Sequence, residues 1–227
     1  MSGFINCLFF SFFLIFFPTQ SGESLINVLY NKGNPQDSVG ILGDELIEAG
    51  DVVGTLKVVL FEPDAIVFQD EKSQDMVKWT IRGSADTKLL QRARHLFVAK
   101  QMKAIYEGQM RYFHKFRESY APSLDVLVRH GFLDGGFEDG VKQDYFFEIS
   151  DLGETRKSTV TFKKEPTFTA TAKPIHEEEG SFYFSVDYLG DVRYSTDPLQ
   201  LSWAPVWNYN EPLVGTSSRD IKVSDDE

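Results

Sequence analysis

A proline-free stretch from Asp86 to Tyr120 constrains this chain more than any other part of it. Val98, Met102, Ile105, Tyr106, Gln109, Phe113 and Phe116 recur every three or four residues, the spacing that lines side chains along one stripe of an α-helix. Lys100, Lys103, Glu107, Arg111 and Glu118 fall on the opposite side. Ala, Leu, Lys, Arg, Gln and Met dominate, residues that lose little conformational freedom in a helix. At about 100° per residue the stretch nevertheless has two apolar faces. Leu89, Leu90, Ala93, Leu96 and Phe97 cluster on one side, and the residues from Val98 to Phe116 cluster nearly half a turn away. The switch at Phe97-Val98 predicts a helix with two clients. Its later part lies under a sheet, and its first turns bury their apolar side against an N-terminal β-domain or a protein partner. Leu89, Leu96 and Phe97 are therefore candidate partner-binding residues.

Both flanks read as short strands, so the expected class is α+β: a small antiparallel β-domain, then a long helix packed on an antiparallel sheet. With 42% hydrophobic and 14% aromatic residues in 227, the chain can bury real cores. The formal net charge of −11 argues against nucleic acid, whose phosphates demand a basic surface. The charge is uneven. The helical stretch carries Lys88, Arg92, Arg94, Lys100, Lys103, Arg111, Lys115 and Arg117 against Asp86, Glu107 and Glu118. A basic helix on an acidic body points to ion pairing within the molecule, or else to a partner-binding stripe.

Residues 1–21 read as a targeting element. The apolar run Cys7 to Phe17 has signal-peptide length, and Pro18, Thr19, Ser21 and Gly22 offer a Thr-x-Ser cleavage pattern that would release a chain starting near Gly22. No Lys or Arg precedes the run, so an uncleaved anchor over residues 3–18 is the alternative. Cys7 is the one cysteine. After cleavage the chain would have neither disulfide nor thiol nucleophile.

Residues 22–82 turn to period two and β-branched runs, in LINVLY, SVGIL, VVGTLKVVLF, AIVFQD and MVKWTI, bounded by turns at Asn31 to Pro35, Gly43-Asp44, Gly50-Asp51, Pro63-Asp64 and Glu71 to Gln74. Five or six such strands predict a small antiparallel sandwich or barrel. The order of Val28-Leu29-Tyr30, the turn Pro35 to Val39, Glu48-Ala49-Gly50-Asp51, Gly54-Thr55-Leu56-Lys57-Val58 and Asp64-Ala65-Ile66-Val67-Phe68 resembles the periplasmic homology-region domains of type II secretion. Those β-domains occur in its inner-membrane B and C components and in a related lipoprotein of type IV pilus assembly.

Residues 84–200 carry the second resemblance. The long helix ends in Gln109-Met110-Arg111-Tyr112-Phe113 and Tyr120. A short amphipathic helix then begins at Pro122 with Leu124, Leu127, Val128 and Phe132, followed by a turn at Gly135-Gly136. The strand segments DYFFEIS, TVTFKK, TFTATAKPI, SFYFSVDYLG and DVRYST follow. From about Ala85 to Thr196 this order closely resembles the globular head of type IV pilin-like proteins and pseudopilins. The resemblance implies a long helix on an antiparallel sheet that ends in a hairpin. One departure matters: pilins continue their apolar leader directly into the long helix, with a Glu early in it. Here the apolar run holds no Glu and is separated from the helix by the whole first β-domain. The head is retained and the filament-building half is absent.

Signals for chemistry are weak. His95, His114, His130 and His176 show no metal-ligand spacing, and neither a phosphate-cradling glycine pattern nor Gly-x-Ser-x-Gly occurs. Asp134, Glu138, Asp139 and Asp144, with Gly135, Gly136 and Gly140, form either a solvated turn or an oxygen-rich Ca²⁺ loop of the kind some pseudopilins use. The aromatic series Tyr145, Phe146, Phe147, Phe162, Phe168, Phe182, Tyr183, Phe184 and Tyr188 alternates along strands, as in a sheet core or, alternatively, a carbohydrate-stacking face. No cofactor is expected.

In residues 201–227 Trp203, Trp207 and Tyr209 lack any period and read as an arm packed back on the domain or as a docking segment; both tryptophans join the partner-binding candidates. Residues 217–227 are small and charged, the composition of a disordered tail. The expected function is that of an exported, non-enzymatic component of a type II secretion or type IV pilus-like machine, facing the periplasm and binding its protein components. The alternative is a free periplasmic or surface protein that recognises carbohydrate or peptide through the aromatic strands.

Overall fold

A computed structural model describes residues 25–208 apart from 84, 118, 157–163 and 178–179. The expected leader or anchor of residues 1–21, Phe162, Tyr209 and the expected disordered tail lie outside the described residues. The fold is α+β, with one long helix and three antiparallel sheets.

The first sheet contains β1 (Leu25–Leu29), β2 (Val39–Leu42) and β3 (Glu45–Ile47) in that order. The second is a meander of β4 (Val52–Val53), β5 (Leu56–Glu62), β6 (Ala65–Asp70) and β7 (Met76–Thr80). Of the expected sandwich or barrel of five or six strands, the structure has two sheets packed on one core, with seven strands. Periodicity marks which residues alternate; it does not mark which strands pair.

Period two explains why all of β2 is buried. Leu42 faces a core shared with Leu25, Val28, Leu56, Val58, Phe61, Ile66 and Phe68 of the two sheets. Gly40, on β2 beside it, lies so close to the second sheet that a Cβ there would sit 2.4 Å from Ile66 Cδ1. Val39 and Ile41 face the other way, toward the helix. The three-stranded sheet is therefore the middle layer of three.

The helix α1 runs from Thr87–Phe116. Asp86 caps its start: the carboxylate accepts the N–H groups of Lys88 at 2.8 Å and Leu89 at 3.3 Å. Arg117, at φ 59°, ends it in a left-handed conformation while donating its N–H to the Phe113 carbonyl. The helix stops short of Tyr120 because this residue turns the chain. A short helix α2 (Leu124–Arg129) follows.

The third sheet is a meander of β8 (Val141–Lys142), β9 (Tyr145–Arg156), β10 (Lys164–Pro174), β11 (Tyr183–Asp187) and β12 (Val192–Ser195), ordered β12-β11-β10-β9-β8. Val98, Met102 and Ile105 of α1 pack with Phe147, Phe168, Ala170, Phe184 and Val186 of this sheet to form the larger core.

Candidate functional site

The seam between the two halves is built on the first turns of α1. Leu89, Ala93 and Phe97 join Leu29, Val39 and Ile41 in one buried cluster. Leu96, half-buried, packs both there and against the larger core, so the change of face at Phe97-Val98 is a change of neighbour within the chain. Three of the five partner-facing candidates are thus covered: Leu89 and Phe97 by the N-terminal sheet, and Trp207 in the larger core. For these three the structure takes the intramolecular alternative: their apolar surface is covered within the chain.

Beside this apolar seam runs a polar one. The Asn31 side chain donates to Gln101 Oε1 at 3.3 Å, and Lys142 Nζ donates to the same oxygen at 3.2 Å. Lys142 also lies 2.9 Å from both Asp134 carboxylate oxygens and 3.8 Å from the Phe137 ring centroid. Burial pulls the Lys142 ammonium below the ordinary lysine range, while Asp134 opposes the shift. Gly33 closes against Asp134, where a Cβ would meet the aspartate Cβ at 2.0 Å. Of the helix cations, Lys100 pairs with Glu48 at 2.5 Å and Arg94 with Asp144 at 3.2 Å, so the basic helix is partly neutralised by the acidic body. A polar groove of about 510 Å³ follows this line, between Asn34 and Asp37 on one side and Lys103, Glu107 and Leu133 on the other. Burial holds the Asp37 carboxyl above the usual carboxylate range, against the pull of Lys100.

This arrangement reassigns the acidic loop. The Asp134 carboxylate is taken by the Lys142 ammonium and by the Gly136 N–H, and Asp139 accepts the Val141 N–H at 3.0 Å. Among the described residues no set of acidic or histidine side chains could hold a metal ion, so Asp134, Glu138 and Asp139 do not form the candidate Ca²⁺ site. The loop is fixed by a lysine.

Of the four histidines only His95 is buried; His114, His130 and His176 are exposed. His95 is buried against Phe182, with ring centroids 4.5 Å apart, and accepts the Phe182 N–H at Nε2 at 3.4 Å. Burial, with Arg94 beside it, pulls its pKa down to about 4. His130 stands in an aromatic group with Phe116 and Tyr112, at 4.9 and 5.7 Å. The strand aromatics point the same way. Tyr145, Phe147, Phe168, Phe182 and Phe184 are buried in the core, while Phe146, Tyr183 and Tyr188 are half-buried. Most of the series cannot stack on a sugar from outside.

The C-terminal arm packs back. Trp207 donates its N–H to the Val192 carbonyl at 2.7 Å, and Arg193 donates to the Ala204 carbonyl at 2.9 Å. The arm leaves Trp203 85% exposed, with Leu199 86% exposed one turn before it. Sequence reasoning missed the role of Gln109, fully buried, which holds the Ala121 backbone. A polar residue inside an otherwise apolar helical stripe was the available signal.

No protein family, no curated protein and no solved structure matches the chain.

Proposed function

We propose that this protein is an exported, non-enzymatic component or accessory of a type II secretion or type IV pilus-like machine, and that it works by protein–protein docking. The order of motifs along both halves supports this reading. The observation that carries it is the covering of Leu89, Ala93 and Phe97 by Leu29, Val39 and Ile41. In the family that the second half resembles, the corresponding part of the helix leads toward membrane and neighbouring subunits. Here the chain's own β-domain occupies it, which favours a double-headed adaptor over a filament subunit. Such an adaptor presents its outer surfaces, and Trp203 with Leu199 is the most exposed large apolar pair among the described residues. The protein acts at the periplasmic face, either free or held by residues 3–18.

Affinity capture from membranes with the tagged full chain tests the reading. Recovery of secretin, secretion or pilus components is expected, reduced several-fold by Trp203→Ala with Leu199→Ala. Recovery of none of them, with measurable glycan binding by the same preparation, would overturn it in favour of a carbohydrate-binding protein.

A further inference from the structure

The end of α1 reads RYFHKFR over residues 111–117, a run in which every residue is basic or aromatic. Arg111, Lys115 and Arg117 are all exposed. Arg94 and Lys100, earlier on the helix, meet Asp144 and Glu48, but none of these three has an ion-pair partner among the described residues. Even with Glu118, which lies outside the described residues, the end of the helix holds three cations against one acid, in a chain of net charge −11.

The rings beside these cations form one connected group. Gly108 lets the loop after α2 close on the helix, where a Cβ would stand 3.1 Å from the Phe132 carbonyl, and Arg111 donates to the same carbonyl at 2.6 Å. Phe132 thereby joins Tyr112 and Phe116: the Tyr112 ring centroid lies 4.4 Å from that of Phe116 and 6.2 Å from that of Phe132. Lys115 Nζ stands 5.6 Å from the Phe116 centroid and 5.4 Å from that of Phe132, and Arg111 Cζ stands 5.9 Å from the latter. A ring face positions a cation without cancelling its charge. The preference of a helix's last turn for cations accounts for Lys115 and Arg117 singly. It does not account for Phe116, 39% exposed between them.

We infer that this end of α1, with Phe132 beside it, is a membrane-contact surface that rests on anionic phospholipid headgroups. The inference does not depend on the docking function proposed above. The cations take the headgroup phosphates, while Phe116 and Phe132 enter the boundary of the acyl layer. An acidic peptide would carry the same charge, but the groove that borders the patch at Arg111 and Phe132 sets Asp37 and Glu107 beside its lysines, and Lys100 is already held by Glu48. It therefore adds no net attraction for an acidic chain running in from the patch. A lipid surface needs no groove and meets the helix end alone. Three cations, at about fivefold in affinity each, make a weak contact that calls for a second attachment. The anchor expected as one alternative at residues 3–18 would supply it.

The probes are vesicles of phosphatidylcholine alone and of phosphatidylcholine with about one-third phosphatidylglycerol, mixed with the full chain diluted from mild detergent. Co-sedimentation reads binding, and hydroxyl-radical footprinting reads whether the Phe116 ring is covered. Footprinting keeps the readout local, since adhesion through residues 7–17 alone leaves Phe116 uncovered. The chain is expected to bind the anionic vesicles more tightly than the neutral ones, with Phe116 protected only on the anionic ones and uncovered again by salt. Lys115→Ala with Arg117→Ala should weaken that binding about 25-fold, at about fivefold per cation, and uncover Phe116 with the unfolding midpoint unchanged. Lys57→Ala with Lys72→Ala removes the same charge from exposed positions in the N-terminal half and should change binding by less than about twofold. Protection of Phe116 that is equal on both vesicles or absent from both would overturn the inference, as would anionic binding undiminished by Lys115→Ala with Arg117→Ala. Protection of Phe116 by an acidic peptide of alternating Glu and Phe, and by neither vesicle, would overturn it in favour of a protein partner.

Discussion

Gln109 grips Ala121 by both of its backbone groups: its Oε1 accepts the Ala121 N–H at 2.8 Å, and its Nε2 donates to the Ala121 carbonyl at 3.0 Å. The pair is fully buried and mimics one rung of a β-ladder, pinning the chain just after the left-handed turn at Arg117. An amide is the one side chain that offers a donor and an acceptor together in this geometry. Gln109→Leu leaves two buried backbone groups unpaired and should cost about 2–4 kcal/mol in urea unfolding. Gln109→Glu keeps the size but sets a carboxylate oxygen against the Ala121 carbonyl, and should be at least as damaging. If Gln109→Leu is neutral, the grip contributes nothing.

Lys142 and Asp134 form the most enclosed of the ion pairs described, and Gln101 shares the lysine. Removing one member strands the other. Lys142→Met should destabilise the protein by about 3–5 kcal/mol, and Asp134→Asn by less, because an amide can still accept from Lys142. Added Ca²⁺ should not raise the melting temperature of the native chain. A calcium-dependent rise in differential scanning calorimetry would restore the cation-loop assignment.

The buried imidazole of His95 gives stability a pH dependence. Its folded pKa of about 4 lies below the ordinary value of 6.5. The unfolded chain therefore binds the proton first, and the contribution is complete above pH 6.5 and lost as pH falls toward 4. The full span is about 3 kcal/mol. His95→Gln, which retains an acceptor for the Phe182 N–H, should flatten the stability curve across this window relative to the native chain. An NMR titration that placed the His95 midpoint near 6.5 would refute the assignment.

The two faces of α1 should respond differently to charge. Ile105, fully buried in the larger core, is expected to unfold the C-terminal half when replaced by Asp, at a cost above about 4 kcal/mol. Leu89→Asp with Leu96→Asp should instead separate the N-terminal sheets from the helix, read as new protease sites between residues 25 and 97 while protection of the β9–β12 amides persists. Equal loss of protection in both halves from both changes would show that the seam and the core are one cooperative unit.

How much of this was legible in the sequence depended on whether the signal was periodic. The 3.6-residue stripe through Val98, Met102 and Ile105 and the change of face at Phe97 marked the helix and its two apolar faces, because periodicity is a direct image of which side meets apolar surface, while the client of the first face stayed open between the β-domain and a partner. The α+β class followed from the alternating runs on either side. Which of the first seven strands share a sheet was not legible, and sandwich and barrel both stayed open, since alternation is the same whichever neighbour a strand pairs with. Asp134 read as a member of an acidic loop with Glu138, Asp139 and Asp144; only the folded chain brings the Lys142 ammonium onto its carboxylate. Trp203 and Trp207 are alike in sequence context and opposite in exposure, because an aperiodic arm carries no mark of which side chain turns inward.

The middle-layer position of β2 also sets an order of assembly. Synthesis runs from the amino terminus, so β1 and β2 exist long before Leu89, Ala93 and Phe97 have been added. Until then Leu29, Val39 and Ile41 have nothing to cover them. The N-terminal sheets are thus made early but cannot finish folding until the first turns of the helix have followed them. In the interval they present an apolar strand face of the kind that chaperones hold and that aggregates when left unheld. A truncation placed at the apparent boundary before the helix would make that interval permanent, and a version of the N-terminal half that behaves in isolation needs the chain to continue through Phe97.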